Sequence, residues 1–127
     1  RKKIETLMRA YDDSDGITRA FNLNLLHRMN RELGAHFIVD NFQHYATYNA
    51  PLGTMESYLV SLESQEVMID AFHRTFSFQM TEPIHVEYSY KYSIKQIEML
   101  AKLSGFQIVE HYTDANGYFI DSLWQAV

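Results

Sequence analysis

Glu87 and Ser89 stand two residues apart in a stretch that alternates by residue type, IHVEYSYKY over 84–92. Ile84, Val86, Tyr88, Tyr90 and Tyr92 fall on one parity, and His85, Glu87, Ser89 and Lys91 on the other. A period of two in β-branched and aromatic residues predicts a strand. Side chains at i and i+2 share a strand face, so Glu87 and Ser89 point the same way, about 7 Å apart at the backbone. A carboxylate only accepts hydrogen bonds, whereas a hydroxyl both donates and accepts. The pair can therefore grip a small ligand carrying N–H groups. The competing reading is a solvated strand face with ordinary polar residues. Tyr11 at a predicted helix end and Thr18 at the next helix start are of the types that orient a polar small molecule, and complete a candidate ligand wall.

Other chemistries find little support. The six histidines, at 27, 36, 44, 73, 85 and 111, form no HxxxH or HExxH pair, so no metal site is expected. Asp12, Asp13 and Asp15 resemble a calcium loop only until its closing position, which is Asn24 rather than Glu. They read better as a turn and helix cap. No GxSxG, P-loop or GxGxxG occurs, and the five glycines are scattered. No catalytic set is complete within the chain. With no cysteine there is no disulfide framework and no thiol nucleophile, which fits a reducing, cytoplasmic setting. A net charge of −5 argues against nucleic acid as a partner. No apolar run reaches the roughly 18 residues needed to span a bilayer, and none is expected to be a signal peptide.

The elements that must position these residues read as α+β in one domain of 127 residues. Helices are predicted over 2–11, 17–33 and 94–103. In the second, Ile17, Phe21, Leu25, Leu26, Met29 and Leu33 form the expected apolar stripe, and Gly34 stops it. Asn22 and Asn24 lie inside that helix and read as capping groups before pocket groups. Ser93 is the expected cap of the third helix, with Gly105 ending it. Strands are predicted over 42–50, 54–62, 66–69, 72–78, 84–92, 106–113 and 118–126. The strands before the third helix read as an antiparallel meander with short turns. Arg1-Lys2-Lys3 opens the chain without an initiator Met, so a segment cut from a longer protein is expected.

Several stretches together resemble a known family: AYDDSDGITRAFNLNLLHRMNRELGAHF (10–37), MESYLVS (55–61), IHVEYSYKY (84–92) and HYTDANGYF (111–119). In order and spacing they are similar to the C-terminal half of the histidine-specific, S-adenosylmethionine-dependent methyltransferases. The resemblance implies an N-methyltransferase acting on the α-amino group of L-histidine, towards trimethylhistidine (hercynine) in ergothioneine biosynthesis. It implies that residues 1–92 are mostly an amino-acid-binding domain. Residues 93–127 would be the last helix and strands of a Rossmann-like domain whose remainder, with the S-adenosylmethionine-binding loop, lies upstream. By the same resemblance Tyr11 lines the substrate pocket, Thr18 lies near the imidazole, and Glu87 and Ser89 hydrogen-bond the ring. Ser57 stands where the family carries a methionine against the ring, a departure that leaves open another acceptor such as a tryptophan derivative. A non-catalytic amino-acid-binding module that self-associates through its sheet edges is the alternative from a different class.

Overall fold

The computed structural model describes residues 2–127. The chain divides into two compact units: Ile4–Tyr90, and Lys91–Val127 joined by Lys2 and Lys3.

The first unit opens with α1 (Ile4–Tyr11) and α2 (Ile17–Leu33). Between them the acidic run folds as a turn; the cap position itself is Gly16, with no side-chain bond of its own, and Asp13 reaches the helix start from three residues earlier. Asp13 accepts hydrogen bonds from the backbone N–H of Ile17 at 2.9 Å and of Thr18 at 2.8 Å. Bonds from the Thr18 side chain and backbone, then from Ile17, pull the Asp13 carboxyl down to about 2. Two donors at the helix start that have no intrahelical partner are thereby satisfied. At the other end Gly34 takes φ +59, and an added Cβ would sit 3.0 Å from Asp70. Glycine is required there for both conformation and space.

The buried stripe of α2 differs from expectation. Ile17 and Phe21 are exposed, at 69% and 75%. Asn22 and Leu26 are the helix's buried residues, and Leu23, Met29 and Leu33 pack beside them. Asn22, Leu26, Met29 and Leu33 keep the i, i+4, i+7, i+11 spacing of one helix face. A polar residue thus replaces Phe21 at the head of the stripe. Asn30 holds the chain after the helix against α2: its Oδ1 accepts from Phe37 N–H at 2.9 Å and its Nδ2 donates to Phe37 O at 2.8 Å.

Strands β1 (Phe42–Asn49) and β2 (Thr54–Ser61) form an antiparallel hairpin. β3 (Gln65–Ile69) and β4 (Arg74–Phe78) follow, and β5 (Pro83–Tyr90) pairs antiparallel with β2. The result is a three-stranded sheet of order β1-β2-β5, with β3-β4 as a separate hairpin. The expected continuous meander is therefore interrupted: the chain leaves the sheet after β2 and returns to its free edge. An isolated bridge between Ala35 and Ile69 ties the hairpin to the segment after α2.

One face of the sheet carries the core. Leu26 packs with Phe37, Phe42, Leu59, Val67 and Ile69. Phe37, Phe42 and Phe78 meet in tilted and edge-on pairs with centroids 5.5–6.2 Å apart. Such edge-on geometry is favoured by the ring quadrupoles. A second cluster, Leu7, Ala46 and Met55 with Met8, Tyr11 and Tyr48, seats α1 on the same face.

The other unit holds α3 (Ile94–Leu103), β6 (Phe106–Thr113) and β7 (Ile120–Ala126), with β6 and β7 paired antiparallel. Ser93 caps α3 in a reciprocal box: its hydroxyl accepts from Gln96 N–H, and the Gln96 carbonyl accepts from Ser93 N–H at 2.9 Å. Here the expected cap and helix boundaries are found unchanged.

Candidate acceptor-binding site

The pleat places Glu87 and Ser89 on the core face of β5, but not by the route the alternation implied. Ser57 pairs with Glu87 and Tyr58 with His85, so Val86 is an extra residue on β5. This bulge reverses the facing of everything before it. Ile84 opposite Leu59 and Val86 pack on the core, as do Glu87 and Ser89 after the bulge, while Tyr88 and Tyr90 are exposed. The expected apolar parity, Ile84 to Tyr92 on one face, is thus broken near its middle, and the strand ends at Tyr90. Glu87 and Ser89 remain neighbours on one side.

That side is walled by the other elements. Ser89 pairs with Met55, and Met55 lies under Tyr11 in the second apolar cluster. From the end of α1 the Tyr11 hydroxyl donates to Ser89 Oγ at 2.7 Å. A hydroxyl brought from 78 residues away fixes the orientation of Ser89. Ser57 is fully buried at the centre of β2, between Ala46 on one neighbour and Glu87 on the other. Directly opposed residues have Cβ atoms about 5 Å apart, so Ser57 and Glu87 are in reach of each other. Among the described residues Ser57 Oγ has no hydrogen-bond partner.

The candidate residues therefore sort into two groups. Tyr11, Ser57, Glu87 and Ser89 converge on one face of the first unit. Thr18 is engaged otherwise: its N–H is held by Asp13, and its hydroxyl is shared between the Asp13 carboxylate and Ala10 O, 3.3 Å from the latter. It ties α2 to the end of α1 and so helps place Tyr11.

Two residues adjoin this group: Asn22, read from the sequence as a capping group before a pocket group, and His44, which the sequence reading did not place at the site. Asn22, 2% exposed, meets His44, 6% exposed, with Nδ2 3.2 Å from His44 Nε2. The same Nδ2 donates to Thr18 O at 3.2 Å, which identifies it as the amide nitrogen. Burial pushes the His44 imidazole below its usual value, with Asp12 and Asp13 opposing and Arg19 assisting. The available signal was parity: His44 shares the spacing of Phe42 and Ala46 on β1, both buried.

Comparison with known proteins decides the family. Residues 1–126 match the family of histidine-specific, SAM-dependent methyltransferases. The chain belongs to this family. It is 36% identical over 118 residues to a histidine N-alpha-methyltransferase of Mycobacterium tuberculosis (strain CDC 1551 / Oshkosh), covering 93% of this chain and 37% of that protein. To the histidine N-alpha-methyltransferase of Mycolicibacterium smegmatis (strain ATCC 700084 / mc(2)155) it is 34% identical, with the same coverage. To ergothioneine biosynthesis protein 1 of Schizosaccharomyces pombe (strain 972 / ATCC 24843) it is 28% identical, over 88% of this chain and 14% of that protein. The chain thus spans little more than a third of the length of the mycobacterial relatives.

The donor named in the family's description finds no cradle among the described residues. Gly16, Gly34, Gly53, Gly105 and Gly117 each take a positive φ in a separate turn, and no two are close in sequence. They do not form the glycine-rich loop that lets a backbone approach a nucleoside closely. Among the described residues no three His, Asp or Glu side chains cluster as metal ligands, and no helix is long and apolar enough to cross a membrane.

Proposed function

We propose that the whole protein transfers methyl groups from S-adenosylmethionine to the α-amino group of L-histidine, and that residues 4–90 hold the acceptor. The observation that carries this reading is the convergence of Glu87, Ser57, Ser89 and Tyr11 on one sheet face. The donor would supply an electrophilic methyl group on sulfur. The acceptor's amine, in its unprotonated form, is itself the nucleophile, so the site needs no nucleophilic side chain, only placement and exclusion of water. In this reading Glu87 accepts a hydrogen bond from an imidazole N–H, and Ser89, oriented by Tyr11, completes the grip on the ring. Ser57 supplies a polar wall beside Glu87.

The second unit fits the remaining part of this proposal. Met99, Leu103, Val109 and Leu123 are 50–77% exposed there, and Ala101 is the buried residue of α3. A helix and a two-stranded hairpin with such exposed apolar side chains make too little core for independent stability. Residues 93–127 are accordingly read as the closing helix and strands of a donor-binding domain supplied by the rest of the protein.

The test is acceptor binding and product mass in the full-length protein. Stepwise addition of methyl groups to histidine, and not to tryptophan, supports the reading. Glu87→Ala should weaken histidine about 10–100-fold, the range for a hydrogen bond to a charged group. Thr18→Ala should change it far less, because its hydroxyl is engaged by Asp13 and Ala10 at the junction of the two helices. Equal histidine affinity in wild type and Glu87→Ala would sink the assignment. Methylation of an indole amine instead would keep the reaction class and make Ser57 the determinant of the acceptor.

A further inference from the structure

Three buried polar atoms in the first unit lack a partner among the described residues: Asn22 Oδ1, His44 Nδ1 and Ser57 Oγ. Their residues are 2%, 6% and 0% exposed. Unpaired groups so deep in a core are uncommon and each costs stability. All three lie on the face that carries Glu87. Ser57 is directly opposite Glu87 on β2, and His44, paired with Leu59 on β1, is the diagonal neighbour of Ser57. Asn22 reaches the same place from α2. They form a polar seam between the two apolar clusters, the one around Leu26 and Leu59 and the one around Leu7 and Met55.

The seam has a direction. Asn22 Nδ2 is a donor, so His44 Nε2 accepts from it and the imidazole proton sits on Nδ1. That N–H points the donor sense onward. Diagonal neighbours on a sheet lie about 7 Å apart at the backbone, a gap that side chains close directly or through one water. Neither link is made directly among the described residues, so each needs a bridging water: through such waters Ser57 Oγ accepts from His44 and donates its own hydrogen to the carboxylate opposite. A carboxylate oxygen held from behind leaves its other lone pairs for a ligand.

We propose that His44, fixed by Asn22 and acting through Ser57, is a positioning residue that aims the Glu87 carboxylate at an acceptor ring N–H. The proposal rests on the acceptor reading above. It extends that reading from the residues touching the ring to a chain of donors behind them. The seam thereby makes selectivity for an N–H-bearing ring depend on His44 and Asn22, which lie behind the residues that line the site.

The experiment uses the full-length protein, with calorimetric affinity for L-histidine and for L-phenylalanine, whose ring has no N–H. Ser57→Ala removes one hydroxyl between Ala46 and Glu87 and should lower the preference for histidine about tenfold, the low end for a hydrogen bond to a charged group. His44→Phe should do the same, and the double variant should be no worse than either single one, since both break a single chain. His44→Asn keeps an amide N–H near the position of Nδ1 and should retain most of the preference, whereas His44→Gln, which replaces Nε2, should not. Losses from His44→Phe and Ser57→Ala that add independently would overturn the relay. So would equal damage from His44→Asn and His44→Gln, or an unchanged preference in Ser57→Ala. Glu87→Ala run alongside separates the two readings. If it leaves histidine binding intact, the acceptor assignment itself fails; if it abolishes the preference while the seam variants do not, only the relay fails.

Discussion

The two faces of the β1-β2-β5 sheet each carry a glutamate, Glu56 buried and Glu87 half-buried, and they treat it in opposite ways. On the outer face both oxygens of Glu56 are bonded from within the protein. Its Oε1 accepts from Asn49 Nδ2 at 2.9 Å and from Thr54 Oγ1 at 3.2 Å, and its Oε2 accepts from the Tyr58 hydroxyl at 2.5 Å. Tyr45, Tyr58, His85, Tyr88 and Tyr90 run beside it as a chain of ring contacts with centroids 3.9–6.4 Å apart. On the core face Glu87 sits opposite an unpaired Ser57 hydroxyl, with two more unpaired atoms behind it. A carboxylate whose bonds are all made internally stabilises a fold and has nothing left to offer a ligand. A half-buried carboxylate beside incomplete partners keeps its acceptor capacity, which is what the proposed acceptor site requires. Residue type alone would have ranked the two glutamates equally; their hydrogen-bond partners separate them.

The largest effect that sharpens this contrast concerns the apolar frame of the core face. Leu59 is fully buried at the centre of β2. Leu59→Ala should cost about 2–5 kcal/mol through lost burial and a cavity. Tyr88→Ala on the outer face, where the ring is 53% exposed, should change stability by less than about 1 kcal/mol. Urea denaturation of the full-length protein measures both. Comparable losses would mean that the outer face is covered in the whole protein and is not the solvent side. A smaller effect is expected at Glu56. Glu56→Gln should lower the denaturation midpoint while leaving histidine affinity as in wild type, and a change in affinity would break the division of labour between the faces.

Much of this arrangement was legible in the chain, and the misses have physical causes. Both long helices and the Ser93 cap follow from local chemistry that tertiary structure did not override. The adjacency of Glu87 and Ser89 survives because it needs only two residues of strand. The long alternation around them does not, because the bulge at Val86 carries no glycine to announce it, and a single inserted residue flips a face. Phe21 outranked Asn22 by hydrophobicity, yet Asn22 is buried because it serves His44. That choice depends on a partner 22 residues away, beyond any local period. The pairing of β5 with β2 across the β3-β4 hairpin is likewise a choice of edge. Turn residues specify that a chain reverses, not which strand it meets next. The resemblance to the methyltransferases supplied Ser57, but not its unpaired state.

The finest test of the contrast reads a single proton. The hydrogen bond to Glu56, followed by burial, pushes the Tyr58 phenol up to about 12 from an ordinary value of 10.0. The same bond, ahead of those from Asn49 and Thr54, holds the Glu56 carboxyl below its usual range against the opposing effect of burial. The two shifts have opposite consequences for stability. Tyr58 has its folded value raised, so its contribution is complete below pH 10 and is lost as pH climbs towards 12. Glu56 has its folded value depressed, so its contribution is present above the usual carboxylate range and is lost as pH falls through the lowered value. Between these limits the outer cluster should hold stability constant. Ultraviolet titration of the phenolate should find Tyr58 still protonated near pH 11 in the native protein and ionising earlier in Glu56→Gln, where the charge opposing ionisation is gone. Adding histidine should leave that titration unmoved, because every oxygen of Glu56 is already engaged on the face away from Glu87. A histidine-dependent shift at Tyr58 would mean that the faces communicate through β2, and the division drawn between a finished carboxylate and a waiting one would fail.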